Sequence, residues 1–182
     1  MKIKTLCHAL ALIAALGAGA AHAADGINLR GSTVYGMVGS SDAGYSNSGL
    51  GLKLGADFGQ GLLGARELGL TAFYAYSGAS NDYFDSNCSR WNISSHSLAL
   101  GPTFTLPLQG TKLAFQARGY GSVNFWNVQA GCSQWNQSGT ELDLGYGVGA
   151  QYQLTPNLAL RLDWDSVGWT SSVFTVGLGM KF

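Results

Sequence analysis

The sequence predicts an all-β fold, an eight-stranded antiparallel transmembrane β-barrel. Three observations predict it. Segment after segment alternates large apolar residues with polar residues or glycine at a period of two, the signature of strands with one apolar face. No segment approaches the roughly 20 uninterrupted apolar residues of a membrane-spanning helix. The alternation also runs to the last residue, where Phe174, Val176, Leu178, Met180 and Phe182 stand against Thr175, Gly177, Gly179 and Lys181. An amphipathic strand with no later segment to cover it is expected to find its apolar neighbour in lipid.

Composition agrees. Glycine (27 residues) and aromatics (12%) are abundant, proline is rare (3) and charge is sparse (11%), which suits a strand-rich body whose outside does not face water. The first residues read as a secretory leader: Met1-Lys2-Ile3-Lys4, an apolar run over 9–16, then Ala21-His22-Ala23 before Ala24. The expected division is a signal peptide over 1–23 and a barrel domain over 24–182. Losing Lys2 and Lys4 leaves a slight excess of acid, so nucleic acid is not an expected partner. Cys7 departs with the leader and leaves Cys88 and Cys132, an even count that favours one disulfide in an exported protein. No CxxC pair or Cys/His cluster calls for zinc, and no cofactor is expected.

Taken in order, a less regular first strand falls near 33–39. The second, over 50–58, sets Leu50, Leu52, Leu54, Ala56 and Phe58 against Gly51, Lys53, Gly55 and Asp57. The third, over 67–76, sets Leu68, Leu70, Ala72, Tyr74 and Tyr76 against Glu67, Gly69, Thr71, Phe73 and Ala75. Strands near 95–107 and 112–125 follow, then the clearest, over 140–154, in which Leu142, Leu144, Tyr146, Val148 and Ala150 alternate with Glu141, Asp143 and three glycines. Leu158, Leu160, Leu162 and Trp164 against Arg161, Asp163 and Asp165 give the seventh strand, before the closing one.

Magnitude decides which face turns inward. Each Lys or Arg placed in lipid near the midplane costs roughly 2–4 kcal/mol. Lys53, Arg118 and Arg161 together would consume about as much as a domain's whole net stability of roughly 5–15 kcal/mol. The charged face is therefore inside. Lys53, Asp57, Glu67, Arg118, Glu141, Asp143, Arg161, Asp163, Asp165 and Lys181 are expected to form a lumen ion network, because an eight-stranded barrel is just wide enough for side chains to fill. Connections at 59–65, 107–111 and 155–157 are short and those near 40–48, 77–94, 126–139 and 165–171 mostly longer. That alternation puts both termini on the periplasmic side.

The segment 152–163, Tyr-Gln-Leu-Thr-Pro-Asn-Leu-Ala-Leu-Arg-Leu-Asp, resembles the strand, tight turn and strand of the OmpA-like eight-stranded membrane domain. The run 174–182 resembles the C-terminal assembly signal of bacterial outer-membrane barrels, which ends in Phe. The resemblance implies a location in the bacterial outer membrane. It further implies contact of Phe182 with the barrel assembly machinery, and a role in envelope integrity or surface interaction. The OmpA family proper carries a further peptidoglycan-binding domain, and no peptidoglycan-anchoring role is expected of this chain.

In the expected outer loops, Cys88-Ser89-Arg90-Trp91-Asn92 and Cys132-Ser133-Gln134-Trp135-Asn136 share the pattern Cys-Ser-x-Trp-Asn. The adjacent strands are joined by a short turn, so a Cys88–Cys132 bridge is expected. Trp91 and Trp135 either pack beside it or form a recognition patch. Trp126, Trp164, Trp169, Phe125 and Tyr76 are expected in an outer aromatic girdle, and Phe58, Phe104, Tyr152 and Phe182 in an inner one. Catalysis has one candidate pair, Ser94 and His96 on the lipid-facing side. Lipid A deacylases carry His-x-Ser with a nearby Glu, whereas here the order is reversed and no acid stands at a matching position. The leading expectation is a non-enzymatic structural or surface-interaction barrel with a plugged polar lumen. A narrow porin-like channel or small-ligand-binding barrel is the alternative, and a lipid-modifying enzyme the third reading. Expected partners are outer-membrane lipid and lipopolysaccharide, the assembly machinery, and a host or surface ligand at the loops, with the barrel a monomer.

Overall fold

A computed structural model describes residues 31–42, 49–58, 67–81, 91–130, 136–167 and 171–182. Eight strands follow in order: β1 (Thr33–Asp42), β2 (Gly49–Phe58), β3 (Leu68–Asn81), β4 (Trp91–Pro107), β5 (Leu113–Ala130), β6 (Gln137–Thr155), β7 (Leu158–Val167) and β8 (Ser171–Lys181). Every neighbouring pair is antiparallel, and β1 pairs with β8 to close the barrel. Closure is completed by the last residue, since the Phe182 N–H donates to the Ser32 carbonyl (3.0 Å) and its own carbonyl accepts from Gly31 N–H (2.8 Å). Among the described residues no helix is long and apolar enough to cross a membrane, and crossing falls to the strands. The leader lies outside the described residues.

Side-chain parity is as the alternation requires. Lys53, Asp57, Thr71, Arg161, Asp163 and Asp165 are nearly inaccessible, while Leu98, Leu100, Phe115, Val148, Leu160, Leu178 and Met180 are exposed on the outside. That arrangement is inverted relative to a water-soluble protein, and lipid is the solvent that makes it stable.

Strand length is where the fold departs from the sequence reading. β1, β2 and β7 have 10 residues and β8 has 11, about one crossing of ~9–11 residues. β3 has 14, and β4, β5 and β6 have 17, 18 and 19. The inner ends of β4–β6 are held by tight turns, one of which places Gly110 at φ 76°, so the excess extends from the opposite rim. At ~3.3 Å per residue and a tilt near 45°, β4–β6 rise on the order of 15 Å above their neighbours. The outer end is thus built largely from strand where longer loops were expected, and the β7–β8 connection is only 168–170. The periodicity fades at 77–81, 91–94 and 126–130 because a sheet standing clear of lipid needs no apolar face. Its ladder continues regardless, since backbone hydrogen bonding does not depend on side-chain polarity.

Candidate functional site

Halfway along the barrel, side chains from β2, β5 and β7 meet across the lumen. Lys53 Nζ donates to Asp163 Oδ2 (2.9 Å) and Asp165 Oδ2 (2.6 Å). Arg118 grips Asp165 with Nε and Nη2 (2.6 and 3.0 Å), and its Nη2 lies 3.0 Å from Asp163 Oδ2. Arg161 holds Asp163 through Nε (3.0 and 3.1 Å) and reaches back across the barrel with Nη1 to Asp57 (2.5 Å). Gln116 Nε2 extends the network from Thr105 to Asp57 (3.3 and 3.4 Å).

Three cations therefore face three carboxylates: each cation meets two carboxylates, Asp163 and Asp165 each meet more than one cation, and Asp57 meets Arg161, and this mutual pairing offsets the cost of burying the charges. Aromatic rings add to it. The Arg161 guanidinium sits 3.9 Å from the Tyr35 ring centroid and Lys53 Nζ 4.4 Å from that of Phe73. Phe73 meets Tyr120 edge-on at 4.8 Å. Gly145 and Gly147 on β6 leave the room this requires, because a Cβ at either would collide with the Tyr120 ring or the Asp165 carboxylate.

Of the ten residues expected in one network, Lys53, Asp57, Arg118, Arg161, Asp163 and Asp165 are joined, and the other four require correction. Glu67 is half-buried at the inner end, where its backbone carbonyl accepts from Thr105 N–H. Lys181 is exposed beside Asn157, whose carbonyl accepts from the Lys181 N–H. Glu141 is exposed near the outer rim, and Asp143 below it accepts from Asn124 Nδ2 at 2.8 Å. All four have inward parity, but they stand where the lumen opens to water and the penalty that forces pairing disappears.

The aromatic expectations divide as well. Trp164 faces lipid and packs against Tyr146 at 5.8 Å. Trp126 does not join the outer girdle: it has inward parity and its ring lies over Gly139. Cys88, Cys132, Trp135 and Trp169 fall outside the described residues. Trp91 opens β4, its backbone paired between Asn81 and Ala130, so the two Cys-Ser-x-Trp-Asn segments flank neighbouring strand ends.

Two features were missed from sequence. His96 accepts or donates a 2.6 Å hydrogen bond with the Tyr74 hydroxyl and lies 5.1 Å from the Tyr76 ring, on the outward face. Both tyrosines share the His96 parity, but only the β3–β4 register reveals that they adjoin it. The second is the edge of the raised wall. β6 pairs with β5 up to Gln137, whereas its ladder to β7 starts only at Tyr146↔Ser166. Among the described residues, 137–144 have no strand on that side. Leu142 and Leu144 are accordingly 81% exposed, alternating in sequence with Glu141 and Asp143.

The family profile described as Outer membrane protein beta-barrel domain matches residues 11–182. Among curated proteins none matches. Solved structures similar in fold include Neisserial surface protein A, at 15% identity over 83% of this chain and 96% of that one (TM-score 0.58). The N-terminal β-barrel domain of Pseudomonas aeruginosa OprF matches at 13% identity over 84% and 98% (TM-score 0.54). Ail, the attachment invasion locus protein of Yersinia pestis, solved with the heparin analogue sucrose octasulfate, matches at 17% identity over 84% and 99% (TM-score 0.52).

Proposed function

The chain belongs to the outer membrane protein β-barrel domain family, and from that membership we propose that it acts at the cell surface as a non-catalytic interaction barrel. It resides in the outer membrane, where barrels of the Ail, Neisserial surface protein A and OmpA-like type have surface or structural roles. One observation carries the finer reading. The wall of β4–β6 projects beyond its neighbours, and among the described residues the outer part of β6 has no strand on one side. An open strand edge offers unpaired N–H and C=O groups to an extended segment of a partner.

Charge selects among partners. Asp42, Glu141 and Asp143 stand at this end, and among the described residues no Lys or Arg does. The Ail structure named above holds a polyanion analogue. For this chain the surface favours an extended partner alternating apolar with basic residues. The test is binding of the folded barrel in detergent to such a peptide and to sucrose octasulfate. Peptide binding that is lost in Glu141→Lys/Asp143→Lys, without affinity for the polyanion, supports the reading. Polyanion binding with no peptide binding refutes it.

Three further proposals belong to this reading. The lumen is plugged at the level of the ion cluster, which leaves the channel reading second. Cys88 and Cys132 form a disulfide that fastens the wall's loops, with Trp91 and Trp135 beside it. Residues 1–23 are removed on export, and Phe182 is read by the assembly machinery.

A further inference from the structure

The inner face of the raised wall gathers oxygen donors above the ion cluster. Glu141 and Asp143 project inward from β6, two residues apart, and register sets Asn124 of β5 opposite Glu141. Given the spacing of paired strands and the rise along one strand, these three side chains leave the sheet from a triangle about 5 Å by about 7 Å. Side chains of this length converge from such corners on one point.

Charge is unbalanced there. The ion cluster sets three cations against three carboxylates and lends no surplus positive charge to the rim. Among the described residues no Lys or Arg stands at this end. Partial desolvation, and then the Asp143 carboxylate within hydrogen-bonding reach, raise the Glu141 carboxyl above its usual range. Two carboxylates so placed repel each other, and a cation between them reverses the sign.

Asn124 is an independent sign of a ligand. It is only 4% exposed, and its Nδ2 donates to Asp143 Oδ2 at 2.8 Å, so its amide lies against the acidic pair. Its Oδ1 is buried and accepts no hydrogen bond among the described residues. A buried acceptor without a donor is uncommon and points to an ion or water beside it. Half a turn about the last side-chain bond exchanges amide nitrogen for oxygen at little steric cost. The oxygen would then face Asp143, an arrangement that is favourable only with a cation between them.

We propose that Glu141, Asp143 and Asn124 form a calcium site on the inner face of the wall, with water completing the shell. All three donors are hard oxygens, and among the described residues no group of three His, Cys, Asp or Glu is placed to serve a softer metal. Calcium takes about 6–8 oxygens in irregular geometry, which two strands and water can supply, whereas magnesium demands a near-ideal octahedron. The bound cation ties β5 to β6 where β6 lacks a second described neighbour. This goes beyond the edge reading: it uses side chains on the inner face, not the β6 backbone, although both involve Glu141 and Asp143.

Trp126 provides a readout, since it projects inward two residues beyond Asn124 with its indole over Gly139. The folded barrel, in detergent, chelator-treated and free of lipopolysaccharide, is titrated with terbium, a calcium substitute that emits when a nearby indole is excited. Emission should saturate and be displaced by calcium at about 0.1–1 mM, the range of weak extracellular sites, and by magnesium only at roughly tenfold more. In calorimetric titration with calcium, Asp143→Asn and Asn124→Leu should each weaken binding about tenfold or more. Asn124→Asp, which keeps an oxygen at the same point, should retain it. Each variant is checked for a heat-modifiable folded band, and the near-isosteric Asp143→Asn carries the test if Asn124→Leu does not fold. The basic peptide of the edge reading, measured in chelator, should still bind Asn124→Leu, so failure of one reading is distinguishable from failure of the other. Calcium binding unchanged in Asp143→Asn, or the absence of saturable binding, overturns the site. Equal displacement of terbium by magnesium overturns the assignment to calcium.

Discussion

Asp163 is the residue on which the lumen depends most, because its one carboxylate serves Lys53, Arg118 and Arg161. Removing it leaves those cations with Asp57 and Asp165 alone, an uncompensated buried charge. Asp163→Ala should lower stability by about 3–5 kcal/mol, the usual consequence of deleting one partner of a buried ion pair. Glu141→Ala, at the solvated rim, should stay within about 0.5 kcal/mol. Urea unfolding in lipid vesicles measures both, and equal effects would mean that the cluster does not govern stability. Phe182 makes its two closing hydrogen bonds through the backbone. Phe182→Ala should therefore leave the isolated folded barrel intact and reduce the amount assembled in the outer membrane. An unchanged assembled fraction would remove the side chain from any recognition step.

At the scale of the strand, β6 has to satisfy three surroundings at once. Its inner part pairs on both sides, its middle faces lipid, and its outer part has, among the described residues, no strand on one edge. Val148→Lys, in the belt at the level of Trp164, should cost about 2–4 kcal/mol, whereas Gln137→Lys beyond the rim should cost almost nothing. The difference between their folding free energies reads out where lipid ends along the strand. The β3–β4 and β5–β6 connections leave from neighbouring strand ends, Asn81, Trp91 and Ala130 lying side by side. The Cys88–Cys132 bridge should appear as a mobility difference between reduced and non-reduced samples and as one linked peptide pair. In the chain-entropy model it contributes roughly 4 kcal/mol. Two free thiols in the exported protein would refute it.

For the molecule as a whole, the ion cluster and the rings of Tyr35, Phe73 and Tyr120 occupy the lumen at one level. Planar bilayers containing the folded protein should show no stable, sizeable conductance, and Asp163→Ala should be leakier if the cluster is what closes the path. Steady wild-type openings would favour the channel reading instead. Fold class, strand number, inward parity and membrane placement were all legible in the sequence, because lipid imposes a strict period of two and the cost of one charge in it exceeds most other local preferences. The joining of Lys53 and Arg118 to Asp163 and Asp165, the inward turn of Trp126, the Tyr74–His96 pair and the bare edge of β6 were decided only by the tertiary structure. Each depends on register between strands distant in sequence and on how far a ladder runs beyond the bilayer, where alternation no longer reports which face is which.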